Sequence, residues 1–231
     1  MKNSSTGILK RLIQLASGYH LLHFELEGGS HVEPGNTLSL DNTTFGVMRH
    51  HQHSHTVELL GPAIPPHWQE GDRQTYVLNK SNFGPSTQTT GENNHLLLIA
   101  EGRGMAQIVF LAERLKQQSR GQITILLGFD GEMPFRPAPS RIMTPSLPPH
   151  VIASVPLLEE WGIACRIAHE EGAPGCYEEK LPMMAAHWLN HTNRNEFKGK
   201  IEIFACARKA TNLLLKRLAG EHELPCQTIE I

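Results

Sequence analysis

The hydrophobic pattern of this 231-residue chain changes character near residue 90. Before that point apolar positions tend to alternate with polar ones: Tyr19, Leu21, Phe24 and Leu26, then Leu38 and Leu40, then Val57, Leu59 and Leu60. Turn-forming residues separate the runs at Glu27-Gly28-Gly29-Ser30, Pro34-Gly35-Asn36, Gly61-Pro62, Pro65-Pro66 and Gly71-Asp72. Alternation buries one face of a strand and wets the other, so short alternating runs between tight turns predict a small antiparallel barrel or sandwich. Residues 81–94, rich in Ser, Thr, Gly and Asn, have no apolar period and read as a linker.

Beyond the linker the period switches. Residues 95–100 form a continuous apolar run, as in a strand buried on both faces. Residues 105–118 then place Ile108, Leu111, Ala112 and Leu115 at helical spacing. Gly121 stops that helix, and 122–127 is a second strand. The Pro-rich stretch 133–149 is expected to wrap the surface without regular structure. Further strands are predicted at 163–168, 200–205 and 225–231, and helices at 153–161, 177–190 and 209–219. Alternating strands and helices predict a five-stranded parallel sheet with helices on both faces. The expected domains are a small β-barrel over 1–90 and an α/β unit over 91–231.

Composition narrows the functional classes. The formal net charge is −2, which gives no electrostatic basis for binding nucleic acid or an anionic membrane. No apolar run approaches the length of a membrane span, and Lys10 and Arg11 interrupt the N-terminal apolar residues where a signal peptide would be continuous. A cytoplasmic location is the resulting expectation. Cys165, Cys176, Cys206 and Cys226 include no C-x-x-C pair, so they are expected to be reduced and structural.

Chemistry concentrates where the strand at 95–100 runs into Glu101-Gly102-Arg103-Gly104-Met105-Ala106 and a helix follows at once. Glycines at such a turn let the backbone approach a pyrophosphate, whose charge the helix N-terminus stabilises. A tight strand-to-helix turn without a ligand accounts for the same residues equally well.

The run over 96–115 resembles the strand-G-x-G-helix of ferredoxin-reductase-like flavoproteins, and is most similar to the electron-transfer subunit of dihydroorotate dehydrogenase. Further resemblances follow in order over 93–231. Residues 123–129 resemble a second strand with a Gly-Phe ending, and Glu171-Gly172-Ala173-Pro174-Gly175 an acidic-Gly-Ser-x-Gly loop. Ile203-Phe204-Ala205-Cys206-Ala207-Arg208 resembles a strand and its Cys-Gly-Pro loop, and Leu224-Pro225-Cys226-Gln227 a Pro-Cys-Gln entry into the last strand. In the first half, Pro34-Gly35-Asn36, Gly71-Asp72 and Phe83 resemble fragments of the family's flavin-binding barrel.

The resemblance implies an oxidoreductase or electron-transfer protein binding NAD or NADP and, at the domain boundary, FAD or FMN. It places Gly102, Arg103, Gly104 and Met105 at the pyrophosphate and Cys206 beside the nicotinamide. It sets Phe83 against the flavin, with Glu171 and Gly172 in a further nucleotide-contacting loop. A redox partner protein or a second copy of the chain is the implied partner.

Departures from the family pattern point to a rival, a degenerate binding or partner-subunit scaffold. Nothing over 40–60 supplies the Arg-x-x-Ser strand that anchors the family's flavin; the arginine available is Arg49. Glu101 replaces a glycine, and a carboxylate among phosphates weakens binding by roughly 1 kcal/mol or more in a partly screened cleft. Arg103 stands near enough in sequence to offset it. Gln107 takes the place of a helix-opening proline, and Ala207-Arg208 replaces Gly-Pro. No cysteine follows Cys226, so the subunit family's iron–sulfur centre is expected to be absent.

Fourteen histidines include His51, His53 and His55, which would share one face of a strand. Imidazoles ligate zinc, nickel or copper, but three in line spread too widely to close a tetrahedron, so no metal is assigned. Trp161 and Trp188 read as core or interface anchors, and Glu170 and Glu171 as ribose contacts or solvated acids.

Overall fold

Six strands of the first half close on themselves: β1 (Ser4–Gln14), β2 (His20–Leu26), β3 (Thr37–Leu40), β4 (Thr43–His51), β5 (Thr56–Gly61) and β6 (Arg73–Asn79). They pair antiparallel around a closed barrel in the order β1-β2-β5-β4-β3-β6. The computed structural model describes residues 4–28, 30–85, 94–118, 121–192 and 201–231. Part of the linker expected over 81–94, and the first residue of the strand expected at 200–205, lie outside them.

The second half runs β7 (His95–Glu101), α1 (Met105–Gln117), β8 (Gln122–Phe129), β9 (Ala138–Pro139), β10 (Ala153–Ser154), α2 (Pro156–Glu160), β11 (Ala164–His169), α3 (Leu181–His191), β12 (Ile201–Ala207), α4 (Lys209–Glu221) and β13 (Cys226–Glu230). Five strands make a parallel sheet in the order β11-β8-β7-β12-β13. On β7, Leu96, Leu98 and Ala100 share a core with α1, while Leu97 and Ile99 share one with α3 and α4. Burial of both strand faces explains the unbroken apolar run.

Several elements differ from their sequence-based bounds. β1 was not anticipated as a strand. The helix expected over 153–161 is shorter, because Ala153 and Ser154 pair with Ala138 and Pro139 before Pro156 opens α2. The helix expected from residue 177 starts at Leu181, since Tyr177 bridges in parallel to Ala168 and Pro182 sits in the first turn. The Pro-rich stretch is fixed through polar contacts. Glu159 accepts from the Ser140 hydroxyl and from the Arg141 amide at 3.1 Å, and Arg166 donates to the Ile142 carbonyl at 2.5 Å.

His51, His53 and His55 do not share a strand face. β4 ends at His51, Gln52–Ser54 is a 3-10 turn, and His55 takes a left-handed conformation at φ 51°. His51 Nε2 lies 2.9 Å from Glu58 Oε1 across the hairpin. Among the described residues, no helix is long and apolar enough to cross a membrane.

Helix α1 joins the two halves. A Cβ on Gly46 of β4 would lie 2.7 Å from Gln107 Nε2 and 2.9 Å from Ala106 Cβ, so only glycine allows strand and helix this close. Phe110 of α1 belongs to the barrel core with Phe45, Val47 and Trp68. Arg49 donates from Nε to Glu113 Oε1 at 3.0 Å, with Nη2 at 2.9 Å.

Candidate functional site

The chain leaves β7 in one direction, through β8 to β11, and returns to place β12 on the other side of β7. At such a reversal the connecting helices lie on opposite faces, and a crevice opens beyond the carboxyl ends of the strands. Here the ends of β7, β8 and β11 and the start of α4 line a cavity of about 320 Å³. Glu101, Asp130, Glu170, Glu179, Lys180, Arg208 and Thr211 supply its polar lining, and the first residues of α3 and α4 border it.

The glycine turn follows Glu101, which lines the cavity. Gly102–Gly104 is a single 3-10 turn that runs directly into α1, and Gly102 has φ +52°. Gly104 is required by close approach rather than by its dihedrals: a Cβ there would overlap the carbonyl oxygen of Cys206. Tyr19 of the barrel covers the turn, its hydroxyl 3.4 Å from where a Cβ on Gly102 would stand. Burial raises the Tyr19 phenol above its ordinary pKa, with Arg103 acting in the opposite sense.

Glu101 is paired, and its partner is Arg208 rather than Arg103. The Arg208 guanidinium donates to Glu101 Oε1 at 2.5 Å, and the Arg208 backbone amide donates to Glu101 Oε2 at 3.1 Å. Arg208 precedes the first residue of α4, so this carboxylate sits on the positive end of the helix. Desolvation by itself would raise the Glu101 pKa; hydrogen bonds from Arg208 and Thr211 and the guanidinium charge bring it below the ordinary value. The same pairing raises Arg208. Arg208 also meets Asp130 at 3.0 Å, and Lys180 meets Glu170 at 3.6 Å.

The other sequence-predicted site residues are dispersed. Cys206 is fully buried, with its thiol donating to Gln107 Oε1 at 3.8 Å and its pKa pushed up to about 12 by desolvation. Met105 is buried at the start of α1, whereas Arg103 is exposed. Glu171 and Gly172 are exposed in the turn after β11, where Glu170 faces the cavity. Phe83 is buried against Gly35 and lies edge-on to Phe204 with ring centroids 6.0 Å apart. Gln227 secures that segment, accepting from the Gly84 amide at 2.9 Å and donating to the Asn82 carbonyl at 2.5 Å.

Asp130, Lys180 and Tyr19 escaped the sequence reading, because their roles depend on strand order and domain packing. Arg208 was visible there as a departure from Gly-Pro, without its partner.

No family model matches the sequence, and no curated protein does. The fold does match solved structures. The ferredoxin NADP+ reductase from Neisseria gonorrhoeae with bound FAD and NADP aligns at a TM-score of 0.69 and 9% identity, over 100% of this chain and 99% of that one. Ferredoxin-NADP+ reductase from Plasmodium falciparum aligns at 0.66 and 11% identity, over 99% and 97% of the two chains. Phthalate dioxygenase reductase aligns at 0.66 and 12% identity, over 98% of this chain and 68% of that one. The shared feature is the fold, a six-stranded barrel followed by a five-stranded parallel sheet with helices.

Proposed function

We propose that this chain is an oxidoreductase of the ferredoxin-reductase-like class, passing reducing equivalents between a pyridine dinucleotide and a flavin. The observation that carries the reading is the polar cleft at the reversal of strand order, lined by Glu101 at the point where β7 enters the glycine turn. In this reading the amides of Gly102, Arg103, Gly104 and Met105 face the pyrophosphate, while Arg208 and Lys180 supply positive charge. Glu170, one residue before the expected Glu171-Gly172 loop, meets the ribose side. Cys206 braces the turn from beneath. The dinucleotide, when bound, supplies the hydride; the chain binds and orients it.

The finer likeness proposed is to the electron-transfer subunit of dihydroorotate dehydrogenase, acting in the cytoplasm with a redox partner protein. The flavin belongs at the domain boundary, but the described residues there do not form its anchor. Arg49 is engaged by Glu113 and Glu58, and Gly46 is pressed against α1.

That closed boundary and the burial of Cys206 favour a second reading, a non-catalytic binding or partner-subunit scaffold. One experiment separates the two. The purified chain is mixed with FAD, FMN, NADH or NADPH while its absorption spectrum and Tm are recorded. Flavin bands and a Tm raised by a dinucleotide support the reductase, because a ligand that binds only the native state stabilises it. A colourless protein whose Tm ignores all four supports the scaffold.

A further inference from the structure

The positive end of α4 is already occupied. Glu101 extends from the end of β7 across to the first residues after β12, and its side chain is only 12% exposed. Both carboxylate oxygens are used there: one accepts the Arg208 backbone amide, the other the Arg208 guanidinium. Thr211, one turn further along α4, lines the same cavity. A backbone amide at a helix start and a guanidinium converging on one anion is a donor pair that also holds a phosphate oxygen. Asp130 also pairs with Arg208, but it is 60% exposed and contacts the side chain from the solvent side.

We propose that Glu101 is the resident anion of this cleft: its carboxylate fills the seat at the start of α4 that a ligand phosphate would otherwise take. A phosphate-bearing ligand enters by displacing it. The proposal rests on the reading of the cleft as a dinucleotide site and adds how that site selects and is restrained. Glu101 is thus a specificity-determining residue, holding affinity for phosphates down until a ligand with enough contacts elsewhere competes it away.

The test compares the full-length wild type with Glu101→Gln and Asp130→Asn by calorimetric titration with inorganic pyrophosphate, and in parallel with NADH and NADPH. Both variants remove one negative charge near Arg208, but only Glu101→Gln removes it from the seat itself. Pyrophosphate is expected to bind Glu101→Gln about tenfold more tightly than wild type, and Asp130→Asn with less than about threefold gain. Equal gains in the two variants would reduce the effect to net charge and overturn the proposal, as would no gain in Glu101→Gln.

A second measurement avoids dependence on the variants folding. In wild type, saturating pyrophosphate is expected to move the amide NMR resonance of Arg208; pyrophosphate binding that leaves that resonance unmoved overturns the displacement. The two readings fail separately. Discrimination by pyrophosphate without dinucleotide binding by any form keeps the resident anion and removes the dinucleotide. Equal dinucleotide binding by all three forms does the reverse.

Discussion

Gly104 of the first turn after β7 and Cys206 of β12 meet with no side chain between them, because a Cβ on Gly104 would overlap the Cys206 carbonyl oxygen. The obstacle is backbone, which cannot rotate aside as a side-chain tip does. Gly104→Ala is therefore expected to destabilise the protein by about 1–3 kcal/mol. Gly220 in α4 has nothing within 4 Å of its would-be Cβ, so Gly220→Ala is expected to stabilise by about 0.5–1 kcal/mol. Urea unfolding midpoints of the two variants should move in opposite directions. A midpoint for Gly104→Ala equal to wild type would mean that the turn stands off from β12.

The barrel and the α/β unit are tied by charge as well as by packing. Arg49 meets Glu113 with two nitrogens on one oxygen, and the side chains are only 28% and 16% exposed. Partial burial limits screening, so a double-mutant cycle with Arg49→Met and Glu113→Gln should return a coupling of about 1 kcal/mol. Additive effects would show that the pair contributes nothing across the junction.

Much of this fold was legible because burial imposes a period. The run Leu96-Leu97-Leu98-Ile99 reads as a central strand because its odd and even residues face different helices. β1 was hidden by a bulge between Leu9 and Arg11, which turns both Leu9 and Leu12 toward the barrel core. Two apolar residues three apart do not look like alternation. The histidine run misled in the opposite way, since its every-other spacing suggests a strand where the chain turns. At the site, the glycine turn was legible from local sequence. The pairing of Glu101 with Arg208 was not, because it joins the end of β7 to the residue after β12, strands that only the sheet order makes neighbours.

Thiol chemistry offers a third check. Burial pushes Cys165 and Cys206 up to about 12, and Cys176 and Cys226 up to about 11; of the four only Cys226 is partly exposed. At pH 8 a thiol near 11 holds about a hundredfold less thiolate than a free one, and a thiol near 12 about a thousandfold less. Native protein should therefore react with an aromatic disulfide reagent at least about a hundredfold more slowly than unfolded protein, with Cys226 modified first. Rapid labelling of Cys206, mapped by mass spectrometry, would contradict its burial beneath Gly104.

His95 opens β7, stands 3.0 Å from the Thr124 hydroxyl and packs beside Trp188, and burial lowers its pKa from 6.5 to about 4. Between those values the unfolded chain binds a proton that the native state refuses, so stability falls as pH falls through that window. The contribution is fully present above pH 6.5 and declines by about 3 kcal/mol on acidification toward pH 4. Other groups titrate in the same range, so the wild-type curve by itself assigns nothing. His95→Gln retains a polar side chain that does not titrate, and the difference between variant and wild type isolates this residue. Urea titrations at pH 7.5, 6.5, 5.5 and 4.5 should show the variant gaining on wild type by about 2.5 kcal/mol from the highest pH to the lowest. A difference that stays constant across the series would place His95 in contact with water at the mouth of β7, able to take up its proton without unfolding.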